Sequence, residues 1–266
     1  MKKFFVSLLS MLLVLQLAAC SNEKEGVTEQ ATSADSAEIV ISAAASLENA
    51  MNELKPMFEK ENENIKLSFT FGGSGSLQQQ ISQGAPVDVF FSAAEDKFQK
   101  LVDEGLMHND YQKDLLKNTL VLIAPTDSNS NITTVKDLAK MSNELLAIGE
   151  PESVPAGKYA KEALENLDIW STIEPKVIYG KDVSQVLTYV AQKNTDFGFV
   201  YRTDAISSDK IKILQTVGSN LHDPIIYPVG VLKDSKNLEA AVQFYNFLQT
   251  EEALAVFDKY GFTFVE

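Results

Sequence analysis

Two short serine-bearing turns hold the chemistry most readily read from this chain: Ala43 to Leu47, and Gly72 to Leu77 with its run Gly72, Gly73, Ser74, Gly75, Ser76. Each follows an apolar, strand-like run and opens a helix-like one. Each would therefore present a hydroxyl and unpaired backbone N–H groups at a helix N-terminus, which is a cradle for an anion. Neither turn contains Lys or Arg, so the ligand would be held by neutral dipoles and hydrogen bonds instead of salt bridges. A lone serine at such a place is by default an N-cap, contributing ~1 kcal/mol. The three glycines around Ser74 argue for more, because capping needs none, whereas close approach of a ligand to backbone N–H groups does. Ser76 with Gln79 has capping-box spacing, which would free Ser74 for a ligand.

Further along, Gly149 to Gly157 is a loop with two prolines that enters a helix, and Pro155 suits the first helical turn. The N–H groups of Ala156 and Gly157 would then point out of a helix start. Asp182 followed by Val183 repeats that geometry with Asp182 as cap; taken alone, plain capping explains it equally well. Tyr201 ends an apolar strand and could donate its hydroxyl into a cleft, or simply pack its ring at an edge. Arg202 is a rival anion ligand, although one residue on it should face the other way. Asp88 reads as a structural carboxylate at the start of a buried strand. His108 and His222 stand in polar stretches and are expected in solvent, without metal-ligand spacing, and no serine lies in a nucleophile-elbow pattern.

The elements that must position these groups alternate between strand and helix. Strands are expected at 38–42, 65–71, 87–92, 119–124, 145–149, 176–179, 197–201, 210–214 and 225–231. The stripe Leu47, Ala50, Met51, Leu54, Met57 and Phe58 has helical period, and further helices are expected at 76–83, 95–104, 134–140, 155–167, 183–193, 237–249 and 251–260. Alternation of this kind predicts an α/β fold with mostly parallel sheets covered on both faces and ligands beyond the carboxyl ends of the strands. No internal repeat is evident in the sequence.

At the start, Lys2 and Lys3 precede an apolar run from Phe4 to Ala19, which fits a secretory signal peptide over 1–19 better than a membrane span. The run ends at Leu17, Ala18, Ala19, Cys20, resembling a bacterial lipobox in which Cys20 is lipidated. Cys20 is the single cysteine, so no intramolecular disulfide is possible. Residues 20–37 are too polar to bury a core and read as a flexible tether. The net charge of −14 argues against nucleic acid as a partner and against an electrostatic grip on anionic lipid, leaving the acyl anchor for membrane attachment. That charge does not exclude an anionic ligand, since diffuse surface charge is screened over ~8–10 Å while helix N-termini act at contact.

Taken together the segments resemble the molybdate-binding proteins of bacterial ABC transporters, periplasmic-type solute receptors, over about 38–265. The landmarks are AAASL at 43–47, GAPVDVFFSA at 84–93, GEPESVPAGKYAKEAL at 149–164 and KYGF at 259–262. The resemblance implies a type II periplasmic-binding-protein fold of two lobes joined by two crossings, with lobe one at 38–118 plus 224–266 and lobe two at 119–223. It also implies that a tetrahedral oxyanion, molybdate or tungstate, is held by Ser46 and Ser74, by the N–H groups of Ala156 and Val183, and by the Tyr201 hydroxyl. The expected protein is then a monomeric lipoprotein on the outer face of the cell membrane, a carrier and not an enzyme, that hands its ligand to an ABC permease. It would need no cofactor. A receptor for sulfate or an organic anion is the alternative, favoured if Arg202 enters the cleft. A secreted serine hydrolase is a remote one, requiring a base beside Ser46 or Ser74.

Overall fold

The computed structural model describes residues 36–265; the signal peptide, Cys20 and all but the end of the tether lie outside the described residues. The first serine turn is reached from β1 (Ala37–Ala44), passes through a 3-10 turn (Ala45–Leu47) and enters α1 (Glu48–Glu61). The predicted stripe buries Ala50, Met51, Leu54 and Phe58, as a 3.6-residue period requires. Then come β2 (Ile65–Gly72), α2 (Ser74–Ser82), β3 (Val89–Phe91), α3 (Glu95–Asp103) and β4 (Met107–Lys117). The chain crosses to a second sheet through β5 (Leu120–Pro125), a 3-10 turn (Lys136–Lys140), β6 (Leu146–Gly149), α4 (Pro155–Asn166) and the short α5 (Trp170–Ile173). This second part is completed by β7 (Val177–Gly180), α6 (Val183–Ala191), β8 (Phe197–Tyr201), α7 (Arg202–Ile206) and β9 (Ile211–Thr216). The chain then returns as β10 (Ile226–Leu232), α8 (Leu238–Phe247), α9 (Glu251–Lys259) and β11 (Thr263–Phe264).

Two sheets result, ordered β11-β4-β10-β3-β1-β2 and β7-β6-β8-β5-β9. The expectation of mostly parallel sheets is corrected: both are mixed. In the first, β1 pairs parallel with β2 and β3, while β10 is antiparallel to β3 and β4. In the second, β6 pairs parallel with β7 and β8, while β5 is antiparallel to β8 and β9. The terminal β11 is antiparallel to β4, and in each sheet the strand that arrives from the other, β10 or β5, is antiparallel to both its neighbours. It enters from the opposite end and therefore runs against its neighbours.

Without its terminal β11, the first order is superimposable on the second, β2-β1-β3-β10-β4 upon β7-β6-β8-β5-β9. This is a repeat of topology that leaves no repeat in the sequence. It has a functional geometry: the first two helices after each sheet's parallel strands, α1 and α2 in one half, α4 and α6 in the other, start at the carboxyl ends of those strands. That is where a ligand of an α/β sheet binds.

β4 and β11 escape sequence reading. Most of β4 is charged or amide-bearing and only Met107, Leu115 and Leu116 are buried, so no two-residue alternation marks it. β11 is two residues long and exposed. Helix 134–140 is observed as the 3-10 turn, and α5 and α7 are too short to show a period.

Candidate functional site

The five sequence-selected groups meet at one place. Ser46, Ser74, Ala156, Val183 and Tyr201 line a small cavity of about 10 Å³, together with Ala44, Ala45, Gly72, Gly73, Ala93, Val154 and Pro155. None of these twelve residues is charged. A larger hollow beside the 125–132 loop is lined by charges of both signs, with Lys193 already paired to Asp127 at 2.6 Å.

Three of the walls are helix starts. Ser74 is the first residue of α2 and Val183 the first of α6, where the Asp182 carboxylate accepts from the Gln185 N–H at 2.8 Å. Pro155 opens α4, leaving Ala156 in its first turn. N–H groups in a first turn lack an intrahelical i−4 carbonyl. Those of Ala156 and Val183 make no hydrogen bond among the described residues and are free for a ligand, whereas Gly157, also expected to point outward, donates its N–H to the Val154 carbonyl at 2.9 Å. Tyr201 closes β8 with its side chain 1% exposed, and its hydroxyl is buried without a hydrogen-bond partner. An unpartnered buried hydroxyl is expensive, of order 1–3 kcal/mol, unless something else completes it. Burial pushes this phenol well above the usual tyrosine range, so it remains a donor at neutral pH.

The serines differ in detail from expectation. Ser46 is not a cap: it lies inside the 3-10 turn, and its Oγ is 2.9 Å from the Tyr227 hydroxyl. The Ser76–Gln79 capping box is absent, because α2 starts two residues earlier than predicted and Ser76 is its third residue. Ser74 Oγ instead accepts the Ala93 N–H at 2.9 Å, tying α2 to the end of β3. Ser76 does not line the cavity.

The glycines have a reason beyond the ligand. A methyl at Gly73 would meet the Ser153 carbonyl at 2.7 Å, and one at Gly75 the Ser153 Cα at 2.8 Å. The second serine turn is pressed against the loop before α4, and the Gly75 N–H donates across to the Ser153 carbonyl at 2.9 Å. The two halves thus touch through backbone, where any side chain would hold them apart.

Of the rival groups, Arg202 is exposed and does not line the cavity. His108 lies in β4 against Tyr111, and His222 packs half-buried near Tyr159; solvent placement is corrected for both, and neither lines the cavity. Asp88 accepts from the Val40 N–H and the Ser235 hydroxyl at 2.7 and 2.6 Å, a structural role. Sequence reasoning missed Tyr227, Asn118 and Asp204. Asn118 Nδ2 donates to Tyr227 Oη and Thr203 Oγ1, and the buried Asp204 carboxylate accepts the Tyr201 N–H at 3.0 Å. Burial pushes Asp204 up to about 7, against the opposing pull of that N–H.

Helix N-termini from two topologically matched halves, converging on a small uncharged cavity, define a solute-binding protein. The chain belongs to the bacterial extracellular solute-binding protein family, whose model matches residues 39–263. It is 44% identical to the putative ABC transporter substrate-binding lipoprotein YvgL of Bacillus subtilis, over 98% of both chains. It is 36% identical to the molybdate-binding protein ModA of Escherichia coli, over 86% of this chain and 90% of that one. Among solved structures, the substrate-binding domain of a putative molybdenum ABC transporter from Clostridium difficile is 45% identical, with a TM-score of 0.67 over 87% of this chain and all of that one. The periplasmic molybdate-binding protein of Azotobacter vinelandii, 24% identical, shares the fold with a TM-score of 0.75 over 86% of this chain and all of that one.

Proposed function

We propose that this protein captures molybdate outside the cell membrane and delivers it to an ABC permease for import. The observation that carries this is the donor set of the cavity: two serine hydroxyls, a buried tyrosine hydroxyl without a partner and three helix starts, with no charged side chain. A hydrogen bond to a charged oxygen contributes roughly 1.5–3 kcal/mol, so several in a dry cage offset the loss of ion hydration. A cage of donors favours a fully deprotonated dianion. The molybdate-binding relatives support the choice of anion.

In this reading Ser46, Ser74, Ala156, Val183 and Tyr201 are the ligand contacts, with Ser46 and Ser74 on lobe one (38–118 plus 224–266) and the others on lobe two (119–223). A ligand touching both lobes stabilises the closed form, which a permease can recognise. Tungstate, of nearly the same size and charge, binds as well. The protein acts as a monomeric carrier rather than an enzyme: the partner of Ser46 is a tyrosine and that of Ser74 a backbone N–H, so neither has a base to activate it. Cys20 bears the lipid that holds the chain at the membrane. Calorimetry on the intact chain in detergent should show tight molybdate and tungstate binding, with sulfate and phosphate far weaker. Failure to bind either of the first two sinks the assignment.

A further inference from the structure

We propose that Tyr227 and Asn118, which do not line the cavity, set its selectivity by fixing the direction of the Ser46 proton. The inference rests on the oxyanion reading above. Asn118 follows β4 at the first crossing between the sheets, and Tyr227 stands near the start of β10, just after the second. Asn118 Oδ1 accepts the Thr119 N–H at 2.8 Å, and a backbone N–H can only donate. The amide orientation is thereby determined, and Nδ2 must face Thr203 Oγ1 at 2.9 Å and Tyr227 Oη at 3.1 Å. Tyr227 Oη accepts from Asn118, and the one acceptor within hydrogen-bond distance of its own proton among the described residues is Ser46 Oγ at 2.9 Å, so a buried phenol with no unpaired proton must donate there. Ser46 in turn accepts from Tyr227, and its own proton is the one left for the cavity.

The tyrosine is held for this task. Its ring is fully buried, edge-on to Phe262 at 5.4 Å and to Tyr201 at 5.8 Å. Burial also keeps its hydroxyl protonated, well above the usual tyrosine range. Ser74 is polarised in the same sense by a different donor, the Ala93 N–H. Both serines thus reach the ligand as donors because each already accepts from the protein. An oxyanion that keeps a proton, such as monohydrogen phosphate, needs an acceptor and finds each serine oxygen with one lone pair already occupied and its own proton aimed at the ligand, which disfavours it. Without the Tyr227 hydroxyl, the Ser46 lone pairs are released and can accept that proton.

The test is a double-mutant cycle by calorimetry on the intact chain: wild type, Tyr227→Phe, Ser46→Ala and the pair. Molybdate is titrated directly, with sulfate and monohydrogen phosphate as competitors matched in size and differing in the proton. Tyr227→Phe is expected to weaken molybdate about tenfold and to improve phosphate relative to sulfate by a similar factor. In the Ser46→Ala background the same substitution should change neither quantity, because the relay acts only through Ser46. Asn118→Ala, which leaves the tyrosine ring in place, should shift both quantities in the same direction by a smaller factor, and it carries the test if Tyr227→Phe does not fold. Equal losses with and without Ser46 overturn the proposal, as does phosphate gaining no ground on sulfate or neither competing at all. If wild type prefers sulfate to molybdate, the ligand assignment falls, while the relay is still judged by the same cycle with sulfate titrated. If wild type binds none of these anions, both fall.

Discussion

Replacing Gly75 by alanine tests whether the second serine turn is glycine-rich so that the two halves can close. The added methyl would stand 2.8 Å from Ser153 Cα, 2.9 Å from its carbonyl oxygen and 3.1 Å from that of Glu152. These are backbone atoms of the opposite half and cannot swing aside as a side chain would. Ordinary contact begins near 3.4 Å, so the loop must retreat by roughly 0.6 Å. The Gly75 to Ser153 hydrogen bond, 2.9 Å now, then stretches to the edge of bonding range. That loop runs directly into Pro155 and Ala156, so the retreat also draws the Ala156 N–H away from the ligand. Loss of one neutral hydrogen bond and weakening of one charge-assisted bond predict an affinity lower by on the order of 10- to 100-fold.

Gly72→Ala is the control in the same turn, since a methyl there meets only the Leu77 side chain at 3.6 and 3.7 Å. It should bind as wild type does. Calorimetry gives the affinities, and small-angle scattering with saturating molybdate reports incomplete closure. Thermal unfolding without ligand separates closure from folding: alanine is favoured over glycine within a helix by ~1 kcal/mol, so the Gly75→Ala Tm should hold or rise. Wild-type affinity in Gly75→Ala refutes the reasoning. So does an equal loss in Gly72→Ala.

Tyr201→Phe removes a buried hydroxyl that has no partner, so ligand-free stability should hold or improve while molybdate affinity falls on the order of 10- to 100-fold, read by unfolding and calorimetry on one preparation. Ser74→Ala should weaken binding by a similar factor, whereas Ser76→Ala, outside the cavity, should leave it within about threefold; the reverse order would place the contact on the wrong serine. Asp204, raised by burial from 3.8 to about 7, favours the folded state fully below its unfolded value and loses that contribution as pH rises toward 7. Asp204→Asn, which keeps an acceptor for the Tyr201 N–H, should therefore match wild type near pH 4 and exceed it by up to a few kcal/mol above pH 7 in denaturant titrations.

The site was more legible than the fold's edges because its groups sit at helix starts. A helix start has a signature in residue types: Pro155, Asp182 and the glycines around Ser74 each mark one. What the sequence could not supply was direction and distance. Nothing in the run around Ser74 distinguishes a glycine that lets a ligand in from one that admits the Ser153 backbone, since both need a missing Cβ. Tyr227 and Asn118 were invisible for a related reason, being 181 and 72 residues from Ser46 and brought beside it only by the fold. β4 was missed because its hydrogen bonds to β10 and β11, and not burial of alternate side chains, make it a strand.

Away from the crossings, where Asn118 bonds Thr203 and Tyr201 meets Tyr227, the polar contacts between the halves are weak, and on the proposed reading this lets the ligand govern closure. Gly75 to Ser153 is one neutral hydrogen bond, contributing roughly 1 kcal/mol. Lys158 to Asp96, at 3.8 Å between half-exposed groups, contributes between nothing and about 1 kcal/mol. Against these, in the proposed site a dianion reached by Ser46 and α2 on one side and by α4, α6 and Tyr201 on the other would bring several charge-assisted bonds at once. A ligand shifts a two-state equilibrium only by its difference in affinity for the two states. In the proposed site two of the five contact residues lie on one side and three on the other, so an open form would offer only part of the cage and the difference would be most of the binding energy. The same division sets the requirement on the ligand: it must present oxygens in both directions, as a tetrahedral dianion does, and carry no proton that a cage of donors cannot accept.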